Sequence, residues 1–117
     1  MSILVSGGAG YIGSHTCVEL LQAGYDIVVA DNLSNSSEEA LRRVEKITGK
    51  TVPFVKTELC NPHEVEALFA QHPDIEAVIH FAGLKAVGES VSKPLEYYSN
   101  NLSSTFMLLQ AMRRHNV

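Results

Sequence analysis

The chain has 117 residues, of which 45% are apolar and 19% are charged, and its formal net charge is −4. This composition is typical of a globular protein with a core, so it excludes a disordered chain, and the length suits one domain. No apolar run approaches the roughly 18 residues that cross a bilayer, no basic segment precedes the first apolar residues, and the acidic balance disfavours a nucleic-acid binder. We therefore expect no membrane span, no signal peptide and no nucleic-acid partner.

Four short apolar runs predict buried β-strands. They cover residues 3–6, 27–30, 52–55 and 77–82, and amphipathic stretches that predict helices lie between them. Alternating strands and helices require parallel pairing through right-handed crossovers. The predicted fold is therefore α/β, a partial Rossmann-type doubly wound parallel sheet of about four βα units. It is partial because a complete sheet of this type has about six strands in the order 3-2-1-4-5-6.

Local signals define the ends of the first two predicted helices. The first helix covers residues 12–23, and Gly24 follows it at the position of a left-handed C-terminal cap. Ser36 and Glu39 form a capping box that opens the second helix, which ends near Gly49.

The remaining helices show equally plain boundaries. Asn61 as N-cap and Pro62 at the first position open the third helix. Residues 83–92 predict an irregular loop, and a long helix follows at 94–114. This last helix carries an apolar surface wider than one stripe. One part of that surface is expected to pack on the sheet, and the rest is wide enough to contact another chain. Its members are Phe106, Met107, Leu108, Leu109 and Met112.

A glycine-rich loop joins the first predicted strand to the first predicted helix. Residues 6–13 read S-G-G-A-G-Y-I-G. Two registers fit a dinucleotide-binding loop, one through Gly7, Gly10 and Gly13 and the other through Gly8, Gly10 and Gly13. In either register, positions without a Cβ let backbone N–H groups approach a pyrophosphate at the positive end of the helix dipole.

Asp31 ends the second predicted strand, where dinucleotide-binding domains place an acid. A carboxylate there accepts hydrogen bonds from the adenosine ribose and repels a 2′-phosphate, which favours NAD over NADP. The alternative is an Asp that only shapes the turn beside Asn32 and Ser34. With the glycine loop in place, we favour the cofactor site.

Four segments together resemble the UDP-glucose 4-epimerases, a family of the extended short-chain dehydrogenase/reductase superfamily. They read V-S-G-G-A-G-Y-I-G-S-H-T at 5–16, D-N-L-S-N-S at 31–36, H-F-A-G-L-K-A-V-G-E-S at 80–90 and K-P-L-E-Y-Y-S-N-N at 93–101. The last two segments are the more specific to 4-epimerases. The resemblance covers the whole chain but only about the first third of a family member. It therefore implies that residues 1–117 are the N-terminal part of an NAD-binding Rossmann domain, without the C-terminal substrate-binding region.

The resemblance also implies the residues of the site. Those expected to bind NAD are Gly7, Gly10, Tyr11, Ile12, Gly13, Asp31, Asn32, Leu33, Ser34, Asn35, Ser36, Glu58, Leu59, Phe81, Ala82, Gly83, Leu84, Lys85 and Asn100. Those expected near the substrate are Lys85, Ala86 and Val87. One departure is Glu58, since the family usually has Asp there to accept from the adenine amino group, and Glu adds a methylene.

The implied activity is epimerisation at C4 of a UDP-hexose, which interconverts UDP-glucose and UDP-galactose in galactose metabolism. In the family, NAD takes a hydride from C4 and returns it to the other face, while a Tyr removes the 4-hydroxyl proton. The superfamily supplies that phenol from a Tyr-x-x-x-Lys pair, which this sequence lacks. We therefore expect no catalytic residue here and no activity from the 117 residues alone, and we interpret Tyr97 and Tyr98 as packing residues.

Further expectations concern partners, metals and location. The superfamily often dimerises through the helix equivalent to 94–114, which implies a homodimer. The five histidines show no metal-like spacing, so no metal site is expected, and His80 is interpreted as a satisfied core residue. Cys17 and Cys60 predict reduced thiols of a cytoplasmic protein.

Two alternatives to this activity stay open. One is a stand-alone nucleotide-binding or interaction module that uses the fold without catalysis. The other is a different sugar-nucleotide epimerase or dehydratase, which the segment at 80–90 disfavours.

Overall fold

The computed structural model describes residues 1–34, 36–83 and 87–117, and of residue 87 the backbone alone. Strands and helices alternate along the chain, followed by two consecutive helices. The elements are β1 (Ser2–Ser6), α1 (Tyr11–Gln22), β2 (Asp26–Asp31), α2 (Glu38–Thr48), β3 (Phe54–Lys56), α3 (Pro62–Gln71), β4 (Ile75–His80), α4 (Val87–Ser92) and α5 (Pro94–Arg114).

The four strands form one parallel sheet in the order β3-β2-β1-β4. β1 therefore lies inside the sheet, where Ser6 pairs with Ala30 of β2 and with His80 of β4. This order is that of the first four strands of a Rossmann-type sheet, so the predicted fold class is confirmed. From β1 the chain first adds β2 and β3 on one side and then adds β4 on the other side, so the strand order reverses at β1. The carboxyl ends of β1, β2 and β4 lie at the same edge of the sheet.

Helices cover both faces of the sheet, as a doubly wound fold requires. Successive residues of a strand point to opposite faces, so Leu4 and Val5 enter different core clusters. Leu4 packs in a cluster with residues of α3 and α5, such as Phe69 and Leu108. Val5 packs with residues of α1 and α2, such as Cys17. The buried strands are apolar on both faces for this reason.

The helix ends follow the predicted signals with one correction. Gly24, at φ +94°, closes α1 in a Schellman motif, in which its N–H donates to the Leu21 carbonyl at 3.1 Å. The N-cap of α2 is Ser37, whose Oγ accepts from the Glu39 N–H at 3.2 Å, so the prediction of Ser36 was wrong. The Ser36 hydroxyl instead donates to the Asp31 carboxylate, which draws it away from the helix.

Two further predictions can be compared with the third and fourth helices. Asn61 caps α3 as predicted, because its side-chain oxygen accepts from the His63 N–H at 3.0 Å. The predicted irregular loop at 83–92 was wrong in its second part, where α4 forms. Six residues are too few to show a helical period in sequence. Within the described part of the chain, no helix is both long enough and apolar enough to cross a membrane.

Candidate nucleotide-binding cleft

A cleft of about 460 Å³ opens at the carboxyl edge of the sheet. Its walls come from the glycine loop, the ends of β2, β3 and β4, and the first half of α5. The lining residues are Gly7, Gly10, Tyr11, Ile12, Gly13, Asp31, Asn32, Ser34, Ser36, Thr57, Glu58, Leu59, Phe81, Ala82, Gly83, Glu89, Tyr97, Asn100 and Ser104. Open α/β sheets bind ligands at this edge, where the strand order reverses.

The glycine loop distinguishes between the two registers left open by the sequence. Gly7, Gly10 and Gly13 line the cleft, whereas Gly8 is buried against β2, where an added Cβ would lie 2.7 Å from the Val29 side chain. At Gly13 an added Cβ would lie 2.2 Å from the Gly7 carbonyl oxygen. The loop therefore folds back on itself so tightly that Gly8 and Gly13 leave no space for a Cβ, which brings the backbone to the cleft surface.

The amino end of α1 presents backbone N–H groups to the cleft. Its N-cap is Gly10, which has no side chain to accept from them, and its first turn contains no acidic residue. First-turn N–H groups have no partner within a helix and carry its positive dipole end. Tyr11 and Ile12 are largely exposed at this turn. The arrangement fits an anionic group such as a pyrophosphate.

Asp31 shapes the turn after β2, which is one of the two roles considered for it, and it also lines the cleft. Its buried carboxylate accepts from the Ala9 N–H at 3.2 Å, the Leu33 N–H at 2.8 Å and the Ser36 hydroxyl at 3.0 Å. It therefore holds the glycine loop and the following turn together. An ionised carboxylate has about four acceptor positions. One is left for a ligand hydroxyl in the cleft, which Asp31 also lines.

Glu58 forms the wall of the cleft beyond Asp31, at the end of β3. Its Oε2 accepts from the Asn32 side-chain amide at 3.1 Å, and its Oε1 accepts from the Cys60 N–H at 3.2 Å. Both contacts fix the longer side chain in one orientation. Thr57 beside it is buried and lines the cleft, although it was not among the predicted site residues.

The other end of the cleft lies past β4 and reaches α4 and α5. Tyr97 is buried, and its hydroxyl donates to Glu89 Oε1 at 3.2 Å. Tyr97, Glu89 and Ser104 all line this end of the cleft, although none of them was among the predicted site residues. Glu89 lies in the segment at 80–90 that carries the family resemblance, so the sequence did contain a signal for a site residue there. Tyr98, also interpreted as a packing residue, does not pack within this chain, since its side chain is 67% exposed on α5.

Some predicted site residues do not line the cleft or lie outside the described part. The Leu33 side chain packs against the core cluster of Val5 and Val29, and its backbone has a φ of +62°. Asn35, Leu84, Lys85 and Ala86 lie outside the described residues, as does the side chain of Val87. Across 1–34, 36–83 and 87–117, no group of three or more His, Cys, Asp or Glu residues could hold a metal ion.

Two cysteines lie close to the cleft and differ in surroundings. Burial raises the pKa of the Cys17 thiol to about 11, behind the glycine loop. Burial, and then the Glu58 carboxylate, also raise the pKa of Cys60. The Cys60 thiol donates to the Asn100 carbonyl at 3.6 Å, so it contributes to the position of that turn of α5.

The sheet order, the glycine loop before a helix and the acid that ends β2 define a Rossmann-type nucleotide-binding fold. Residues 3–117 match the NAD dependent epimerase/dehydratase family, and the chain belongs to that family.

Individual relatives narrow the comparison. The chain is 64% identical over 117 residues to the UDP-glucose 4-epimerase of Bacillus subtilis, of which it covers 34%. It is 53% identical to a UDP-glucose 4-epimerase of Klebsiella pneumoniae, of which it covers 84%. It superposes with a TM-score of 0.96 and 55% identity on 35% of the Bifidobacterium longum UDP-glucose 4-epimerase, crystallised with NAD+ and UDP. The chain thus spans about a third of the length of most of these relatives.

Proposed function

We propose that this chain provides the NAD-binding part of an enzyme that epimerises UDP-hexoses at C4, interconverting UDP-glucose and UDP-galactose. The observation that carries the proposal is the cleft, in which a glycine loop, a helix N-terminus and the Asp31 carboxylate converge. The similarity to UDP-glucose 4-epimerases along the entire chain supports the particular activity. Residues 1–117 would then be the N-terminal part of the NAD-binding domain.

Each part of the cleft has a task in this proposal. The first turn of α1 binds the pyrophosphate through backbone N–H groups, and Asp31 accepts from the adenosine ribose on the β2 side. Because β2 and β4 flank β1 on opposite sides, Phe81–Gly83 on the β4 side would hold the nicotinamide half. NAD, when bound, supplies the acceptor and donor of the C4 hydride.

The proton chemistry is outside these residues. The superfamily that the chain resembles takes its general base from a Tyr with a Lys four positions on, and no Tyr in this sequence has one, so we place the base for the 4-hydroxyl elsewhere in the enzyme. Such a base typically contributes about 10²–10⁴-fold. We therefore propose that residues 1–117 bind cofactor and do not catalyse epimerisation by themselves. The predicted substrate contacts at Lys85, Ala86 and Val87 remain part of this proposal.

We further propose that the protein is a homodimer that forms through α5. Five apolar side chains on α5 are about half or more exposed and follow one another at spacings of three and four residues, so they form one stripe. They are Leu95, Tyr98, Leu102, Phe106 and Leu109. Such a stripe loses apolar surface from water when a second copy covers it. A cytoplasmic location is supported by the free thiols of both cysteines.

The dimer proposal is tested by sedimentation of the intact protein. Phe106→Lys combined with Leu109→Lys should convert a dimer into a monomer. Gln110→Lys is the matched control, because Gln110 is exposed on the same turn but outside the stripe. A dimer that survives the double change would contradict the role of α5.

The activity is tested with the intact protein by calorimetric titration of NAD and by a coupled assay for UDP-glucose formed from UDP-galactose. NAD binding with turnover supports the proposal. NAD binding without turnover on any UDP-hexose would instead favour a nucleotide-binding module, and release of a dehydrated 4-keto sugar would favour a dehydratase. Absence of NAD binding would refute the cofactor site itself.

A further inference from the structure

A row of hydrogen bonds runs from the sheet to α5 directly beneath the cleft. The fully buried Ser6 hydroxyl at the end of β1 is bonded to His80 Nδ1 at the end of β4. His80 Nε2 is 3.2 Å from Thr105 Oγ1 on α5, and the Thr105 hydroxyl donates to the Asn101 carbonyl at 2.9 Å. The Ala82 N–H donates to Ser6 Oγ at 3.3 Å, which joins a lining residue of the cleft to this row.

A neutral His80 ring with its hydrogen on Nε2 is consistent with these bonds. Because the Thr105 hydroxyl donates its proton to a carbonyl, its oxygen accepts from His80, so Nε2 carries the hydrogen. In the neutral ring Nδ1 is then an acceptor and takes the Ser6 proton, which leaves the Ser6 oxygen to accept from Ala82. Every donor in the row meets an acceptor. These bonds therefore favour the Nε2–H tautomer of His80.

The segment that this row holds, residues 81–83, is closely packed on two sides. An added Cβ at Gly7 would lie 2.6 Å from the Ala82 nitrogen, so the glycine loop packs directly against Ala82. At Gly83 an added Cβ would lie 3.1 Å from Asn101 Oδ1 on α5. Residues 81–83 are therefore enclosed between the glycine loop and α5, and His80 bonds to both sides of that enclosure.

We propose that His80 is a positioning residue, which fixes the backbone of 81–83 as the floor for the nicotinamide half of the cofactor. This inference rests on the proposed function, since the floor matters only if a dinucleotide lies over it. The adenosine half, which lies on the β2 side, should be insensitive to His80. The difference between the two halves separates positioning from a general loss of stability.

The test uses three substitutions of His80 in the intact protein and two ligands. His80→Asn keeps an acceptor for the Ser6 hydroxyl and loses the bond to Thr105. His80→Gln keeps a donor to Thr105 and loses the acceptor for Ser6. His80→Leu loses both bonds. We expect the Kd for NAD to rise about threefold for the Asn and Gln variants and about tenfold for Leu. The Kd for ADP, which lacks the nicotinamide half, should not change.

A substitution at the α5 end of the row tests the same inference if the His80 variants do not fold. Thr105→Val removes the acceptor of His80 and should weaken NAD about threefold. Thr48→Val is the matched control, because Thr48 makes the same bond to the carbonyl four residues earlier in α2, at 2.8 Å, and its oxygen accepts from the Lys50 N–H and not from a His. It should leave the affinity for NAD unchanged.

Nitrogen chemical shifts of the His80 ring test the proton arrangement without any ligand. A protonated Nε2 and a bare Nδ1 support the inference, and the opposite tautomer overturns it. Unchanged NAD affinity in all His80 variants and in Thr105→Val would also overturn it, as would equal losses for NAD and ADP. If the unmutated protein shows the expected tautomer but binds neither ligand, the proposed function has failed, and the positioning role with it.

Discussion

Replacing Gly13 with Ala should displace the glycine loop and leave the rest of the fold in place. The new Cβ would lie 2.2 Å from the Gly7 carbonyl oxygen and 2.9 Å from Gly8 Cα, all of it backbone that no rotamer change can move aside. A contact of at least 3.0 Å requires a shift of about 0.8 Å. Overpacking of this kind costs about 1–3 kcal/mol, and we expect the upper end because both opposing groups are backbone.

Urea unfolding and NAD titration of the intact protein measure the two consequences. Gly13→Ala should lower the free energy of unfolding by about 3 kcal/mol and weaken NAD, because the loop that holds the pyrophosphate has moved. Gly10→Ala, with 3.3 Å to the nearest atom, should cost less stability. Gly88→Ala in α4 meets nothing within 4 Å and should not lower the stability. Equal stability of Gly13→Ala and the unmutated protein would refute the geometry of the loop.

Four other outcomes are expected. Asp31→Ala should reduce the preference for NAD over NADP, measured as a ratio of Kd values, whereas Asp26→Ala at the exposed start of the same strand should not; equal Kd values in the unmutated protein would contradict the assignment. A polypeptide of residues 1–117 alone should give no detectable UDP-glucose from UDP-galactose with saturating NAD, and activity within about tenfold of an intact 4-epimerase would show that the catalytic base is misplaced. The same polypeptide should self-associate through β4, an edge strand of the sheet, so a stable monomer in light scattering at high concentration would argue against this. Because the Cys17 pKa is 9.0 ordinarily and about 11 in the fold, stability should fall as pH rises from about 9 to 11, and Cys17→Ala should flatten that decline in a pH series of urea titrations.

Local pattern in the sequence determined the architecture. Apolar runs of strand length separated by helical periods predicted β1 to β4 in order, and parallel pairing followed from the connections. Caps such as Asn61, and the glycines that close α1 and α2, were also predictable, because their partners are within a few residues. The glycine loop and Asp31 could be picked out for the same reason, because each belongs to a short sequence motif next to a predicted strand.

The tertiary structure decided those features whose partners are far apart in the chain. The cap of α2 moved to Ser37 because Asp31, on a strand, binds Ser36. Leu33 packs against the core, and the Tyr97 hydroxyl of α5 bonds to Glu89 of α4. The periodicity of the sequence predicted neither contact. Ser6 and His80 are 74 positions apart, and they pair because only the assembled sheet brings the ends of β1 and β4 side by side.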